Sequence, residues 1–80
     1  MIVTHDFELT ATCPVDGTLD RYDVRVAVTR TLPVEEILEA VKGAPQKAYQ
    51  EEITAHLAKV LGARVTTRGT HSGIVTTCSA

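Results

Sequence analysis

Cys13 is followed directly by Pro14 and, seven residues on, by Asp20, and this pairing is the most chemically suggestive in the chain. A cysteine attacks as its thiolate and needs partial exposure and a neighbour that handles protons. The intervening turn Pro14-Val15-Asp16-Gly17 can fold Asp20 back toward Cys13, setting a nucleophile beside a proton donor or acceptor. The plainer alternative, which spacing alone favours, makes Cys13 a small buried apolar residue and Asp16 or Asp20 a turn-capping carboxylate. A second candidate is the run Gln50-Glu51-Glu52, which opens a helix. Relative to Ile53 and Leu57, Glu51 points away from the subunit's own core. It is either part of a solvated helix start favoured by the helix dipole or a carboxylate directed across a subunit interface, where it could accept paired hydrogen bonds from a purine-like N–H and amino group. His5, His56, His71, Cys13 and Cys78 include no pair spaced as metal ligands, so the expectation is no metal. His56 reads as a helix-flank residue, His71 as a turn residue and Cys78 as a strand residue. No glycine-rich phosphate loop is present, and no Ser-His-Asp order stands out.

The elements that must position these residues follow from periodicity. Phe7, Leu9, Ala11 and Cys13 alternate with Glu8, Thr10 and Thr12, the period of a half-buried strand. After a connection of about 6 residues, longer than a tight hairpin requires, Tyr22, Val24, Val26 and Val28 mark one face of a second strand. Thr31 or Leu32 caps a helix with Pro33 in its first turn, Glu35 and Glu36 at its positive end, and an apolar face of Val34, Ile37, Leu38 and Val41. Lys42-Gly43 closes it, with glycine in the left-handed conformation. Pro45 begins a second helix with the stripe Tyr49, Ile53, Leu57, Val60 and Leu61, ending at Gly62. Strands Ala63 to Arg68 and Ile74 to Ser79 flank a turn at Gly69-Thr70-His71-Ser72-Gly73. This order, ββααββ, predicts an α+β fold: a four-stranded antiparallel sheet with two helices on one face.

The chain of 80 residues carries no linker, repeat or low-complexity tract and reads as a single domain, 1–80. With 2 Tyr, 1 Phe and no Trp, its core must be built from Val, Leu, Ile and Ala. A chain this size hides only a little over about 60% of the surface its unfolded form exposes, so an oligomer is the first expectation. Two exposed outer strands point the same way, since their unpaired backbone groups invite pairing between subunits. The formal charge of -2 offers no basic patch for a nucleic acid backbone, and no apolar run is long enough to span a bilayer. Two cysteines and an N-terminus without a signal pattern read as a cytoplasmic, reducing context.

Cys13-Pro14-Val15-Asp16-Gly17-Thr18-Leu19-Asp20 resembles the C-P-x-x-G-x-x-D signature of the QueF family, the 7-cyano-7-deazaguanine (preQ0) nitrile reductases and their amidine-forming relatives. Tyr49-Gln50-Glu51-Glu52-Ile53 resembles that family's aromatic or apolar residue followed by His-Glu, with Gln50 standing where the family has His. Gln50-Glu51-Glu52-Ile53-Thr54, Arg68-Gly69 and Thr76-Thr77-Cys78-Ser79-Ala80 are also similar to GTP cyclohydrolase I. All belong to the tunnelling fold, so the resemblance implies sheets joined between subunits into a barrel. It implies Cys13 as the nucleophile forming a covalent thioimide, Asp20 as the proton carrier, and Glu51, with Gln50 beside it, as the substrate-binding pair. The reductases carry a Glu-Ser-Lys-Ser type stretch for NADPH, whereas this chain reads Leu32-Pro33-Val34-Glu35-Glu36-Ile37-Leu38. The likeness is therefore greater to the short QueF-like amidinotransferases of the archaeosine type, which need no cofactor and use ammonia. Their implied substrate is the cyano-deazaguanine, as the free base or in tRNA or DNA. The alternatives are an NADPH-dependent reductase and a non-catalytic purine- or pterin-binding tunnelling-fold protein.

Overall fold

The computed structural model describes all residues from Met1 to Ala80. Its elements are β1 (Val3–Thr12), β2 (Leu19–Val28), α1 (Val34–Lys42), α2 (Gln50–Leu61), β3 (Arg64–His71) and β4 (Ile74–Ser79). The four strands form one antiparallel sheet in the order β1-β2-β3-β4, with β1 and β4 at the edges. Both helices cover one face, as the ββααββ order predicts. No helix is long and apolar enough to cross a membrane.

The period of two along the strands decides which side chains the helices cover. Leu9 and Ala11 of β1, Tyr22, Val24, Val26 and Val28 of β2, and Val65 and Thr67 of β3 are buried beneath the helices. Ile53, Leu57 and Leu61 of α2 close over them, with Ile53, Leu57, Val26 and Val65 fully removed from solvent. The opposite face is polar; there Asp6 sits directly across from Arg25 and accepts two hydrogen bonds from its guanidinium, at 2.8 and 2.9 Å. Both side chains are more than half exposed, so solvent screens the pair and it adds little to stability.

Several boundaries depart from expectation, each for a local reason. Pro33 is the N-cap of α1 rather than part of its first turn, with an extended backbone and no side-chain cap. Gly43 ends α1 in a right-handed conformation (φ -85°), while Gly62 does end α2 in the left-handed one. Only Ile37 and Ala40 of α1 are buried, leaving Val34 and Leu38 exposed. In α2 the expected stripe likewise loses Tyr49 and Val60 to solvent. That helix begins at Gln50, not Pro45, because the preceding segment runs beside the end of β1: Thr12 N–H donates to Gln46 O (2.7 Å) and Ala48 N–H to Thr12 O (3.3 Å). This satisfies backbone groups that an edge strand would otherwise expose. Glu52 Oε1 then accepts from Tyr49 N–H at 3.2 Å, half of a capping box. β1 begins at Val3, four residues before the alternation starting at Phe7. β3 extends to His71, so the last hairpin turns on Ser72 (φ 51°) and Gly73 (φ 78°) alone, the two positive φ values of a tight primed turn.

Candidate active site

The reactive end of the sheet is built by two connections. Between β1 and β2, Cys13 N–H donates to Thr18 O at 2.8 Å, continuing the strand register by one step. Gly17 N–H donates to Cys13 O at 2.9 Å, and Gly17 takes the positive φ (74°) that the reversal demands. Asp16 stiffens the loop by accepting from the Thr18 N–H (3.0 Å) and hydroxyl (2.7 Å) on one carboxylate oxygen, Oδ1. These two bonds and then the Cys13 thiol pull the Asp16 carboxyl down to about 2. The turn-capping role considered for Asp16 is therefore real.

The second connection brings in His71, expected in a turn but held in the last position of β3. Tyr22 lies opposite Gly69, so Asp20 and His71 fall opposite each other one step further along the helix-facing side. His71 Nδ1 lies 3.2 Å from Asp20 Oδ1, and its Nε2 lies 3.6 Å from Asp16 Oδ2. On the other side of the Asp20 carboxylate, Tyr22 Oη–H donates to Oδ2 at 3.3 Å. Burial first, and then the Asp20 charge, push the Tyr22 phenol up to about 12, so it stays a hydrogen-bond donor at any physiological pH. Gly69 makes room for that ring: a methyl there would come within 2.5 Å of Tyr22 Cδ1. The only local signal for His71 was the Ser-Gly pair beside it, which fits a two-residue turn and would have kept His71 in the strand.

Cys13, Asp20, Gln50, Glu51 and His71 all line one cleft of about 240 Å³, together with Tyr22 and Tyr49. The four residues expected from sequence to form the site are thus gathered in one place. Cys13 is only 6% exposed and lines this cleft. Asp20 contacts Tyr22 and His71, and the carboxylate that the Cys13 thiol influences is Asp16. Glu51 is exposed, as its position off the α2 stripe predicted. Gln50 is buried, and its side-chain nitrogen donates to the carbonyls of Thr67 (3.2 Å) and Thr76 (3.0 Å) and contacts the Thr67 hydroxyl (3.0 Å). Two carbonyl acceptors fix that atom as the amide NH₂, leaving its Oε1 as the atom available to a ligand. Gln50 therefore braces α2 against β3 and β4, while Thr54 donates back to Gln50 O or shares its hydroxyl with Thr67, both at 2.7 Å. A larger groove of about 530 Å³ runs between β1 and residues Val41–Gln46, but it contains neither cysteine nor histidine.

Of the five histidines and cysteines, only Cys13 and His71 come together, and Asp16 joins them: ligating atoms of the three lie within 4.8 Å of one another. His5 keeps a half-buried ring whose Nε2 has no partner, away from this cleft.

No family model matches this sequence, and no curated protein matches it. Among solved structures, the chain is similar to a crystal structure of the archaeosine synthase QueF-Like in the apo form, at 20% identity and a TM-score of 0.82. That likeness covers 99% of this chain and 90% of the other. The fold is shared essentially end to end, and the four-stranded antiparallel sheet with two helices on one face is the one expected from the sequence.

Proposed function

We propose that this chain is a QueF-like amidinotransferase that converts the nitrile of a 7-cyano-7-deazaguanine to a formamidine. The observation that carries this reading is the convergence of Cys13, Asp20 and Glu51 on one cleft, in a fold shared with an archaeosine synthase QueF-Like structure. The Cys13 sulfur adds to the nitrile carbon, forming a C–S bond, while the proton that leaves the thiol passes by way of the Asp20 carboxylate to the nitrile nitrogen, to give a thioimide. Ammonia then adds to the same carbon. The C–S bond breaks with departure of the thiolate, and the net change is nitrile plus ammonia to amidine. Glu51, free of any protein partner in its subunit, accepts the paired hydrogen bonds of the ring N–H and amino group. Tyr22 and His71 hold Asp20 in place.

The site is completed between subunits. Apart from the Thr12 bridge at the end of β1, neither edge strand has a partner strand on its outer side, and Ile74 and Val75 on β4 are 68% and 50% exposed, surface that a barrel of several copies would cover. The segment that replaces the reductase's NADPH stretch leads into α1, whose acidic first turn of Glu35 and Glu36 suits no phosphate group.

The decisive assay supplies the nitrile base with either ammonium or NADPH and follows adduct and product by mass spectrometry. Expected are a covalent adduct and turnover with ammonium alone. Turnover with NADPH alone would establish the reductase, and a bound nitrile with no adduct would leave a non-catalytic binding protein. Solution mass should report an oligomer, and a stable monomer would rule out the shared site.

A further inference from the structure

The loop between β1 and β2 and the end of β3 place a thiol, a carboxylate and an imidazole around one point, and we infer that Cys13, Asp16 and His71 form a zinc-class transition-metal site at the mouth of the cleft. Their ligating atoms lie within 4.8 Å of one another. The His71 Nε2 to Asp16 Oδ2 separation is 3.6 Å, beyond a hydrogen bond. It is, however, the edge expected of a tetrahedron with metal–ligand bonds of about 2.0–2.2 Å. The donor set of one sulfur, one nitrogen and one oxygen suits a borderline-soft divalent ion rather than calcium or magnesium.

The groups behind these ligands are arranged as metal sites arrange them. His71 Nδ1 is engaged by Asp20 at 3.2 Å, which fixes the ring and turns Nε2 toward the other two ligands. Asp16 is held through Oδ1 by the Thr18 N–H and hydroxyl, leaving Oδ2 toward the cluster. A carboxylate behind a ligating imidazole and a held ligating carboxylate are the recurrent outer shell of such centres. Three protein ligands leave a fourth position, and the cleft lined by Gln50 and Glu51 is where an exogenous ligand would take it. The same sulfur is the proposed nucleophile, so a bound ion masks it. On that consequence the inference rests on the reading above; the binding itself does not.

Metal binding is therefore read without substrate. The reduced, metal-stripped protein is titrated with zinc against a chromophoric chelator, and with cobalt(II) by absorption. Expected are one ion per chain and a thiolate-to-cobalt charge-transfer band that disappears in Cys13→Ser and survives in Cys78→Ser. His71→Ala and Asp16→Asn should each weaken binding at least tenfold, and Asp20→Asn by roughly 10–100-fold through its hold on His71. Unchanged thermal midpoints check folding, and His71→Gln serves where alanine loosens the hairpin. No band, or binding indifferent to Cys13, Asp16 and His71, overturns the site. Adduct formation is measured separately in chelator and with zinc added, where saturating zinc should suppress it. An adduct in chelator without any metal binding defeats this inference alone, whereas metal binding without an adduct defeats only the amidinotransferase reading.

Discussion

One cysteine lies one residue past the end of edge strand β1 and the other within edge strand β4, yet their surroundings differ. Cys13 follows β1 beside the Asp16 carboxylate and the His71 imidazole, and opens into the cleft. Cys78 lies opposite Thr67 in β4, where burial first and then the negative charge of Glu51 push its thiol up. The more buried of the two, Cys13, is the one placed for chemistry. Burial is therefore a poor guide to a reactive thiol, and the polar neighbours at the end of a strand are the better one.

The sharpest way to break this contrast is to remove each sulfur in turn. Cys13→Ala should keep binding of the nitrile base and lose the covalent adduct entirely by mass spectrometry, while Cys78→Ser should leave it intact. An adduct that survives in Cys13→Ala would falsify the assignment of the nucleophile. Next in size is the brace that holds α2 over Cys78's strand. Gln50→Ala leaves the Thr67 and Thr76 carbonyls without their donor, and should cost about 1–3 kcal/mol in denaturant unfolding. Gly69→Ala should cost about 1–3 kcal/mol by driving a methyl into the Tyr22 ring, and should slow adduct formation because that ring positions Asp20.

The remaining effects are titrations. Absorbance should show a tyrosinate step near pH 12, absent in Tyr22→Phe and moved to lower pH in Asp20→Asn. The folded-state value lies above the ordinary 10.0, so Tyr22's contribution to stability is complete below pH 10 and is lost as pH rises toward 12. Smallest is Glu51→Gln, which should lower the Cys78 thiol toward its ordinary value and modestly speed its alkylation at pH 8. No change there would mean that the Glu51 charge does not reach that edge.

Much of this was legible along the chain because it is local. The alternation of Tyr22, Val24, Val26 and Val28 marked the buried face of β2, and Gly62 marked the end of α2. Cys13 and Asp20 stand out along the chain because one short turn separates them, with Asp20 at the start of β2. His71 escaped because its partner, Asp20, lies 51 residues away in sequence and meets it only through the pairing of β2 with β3. The start of α2 departs from expectation for a similar reason: Gln46–Ala48 bridge to Thr12 at the end of β1, a contact that no helical periodicity records. Val34 and Leu38 of α1 fit a helical stripe but have nothing in this subunit to cover them.

The pairing of β2 with β3 has a further consequence for how such a site can change over generations. Val65, Thr67 and His71 share one side of β3, so a one-residue slip of the whole strand would evict His71 from the cleft and also turn Val65 outward. Errors that would misplace the imidazole are thereby detected by the core itself, as loss of folding. Lineages can tolerate length changes here only in pairs, or beyond His71 in the two-residue turn at Ser72-Gly73, and that turn is where natural variation in this protein's relatives should accumulate.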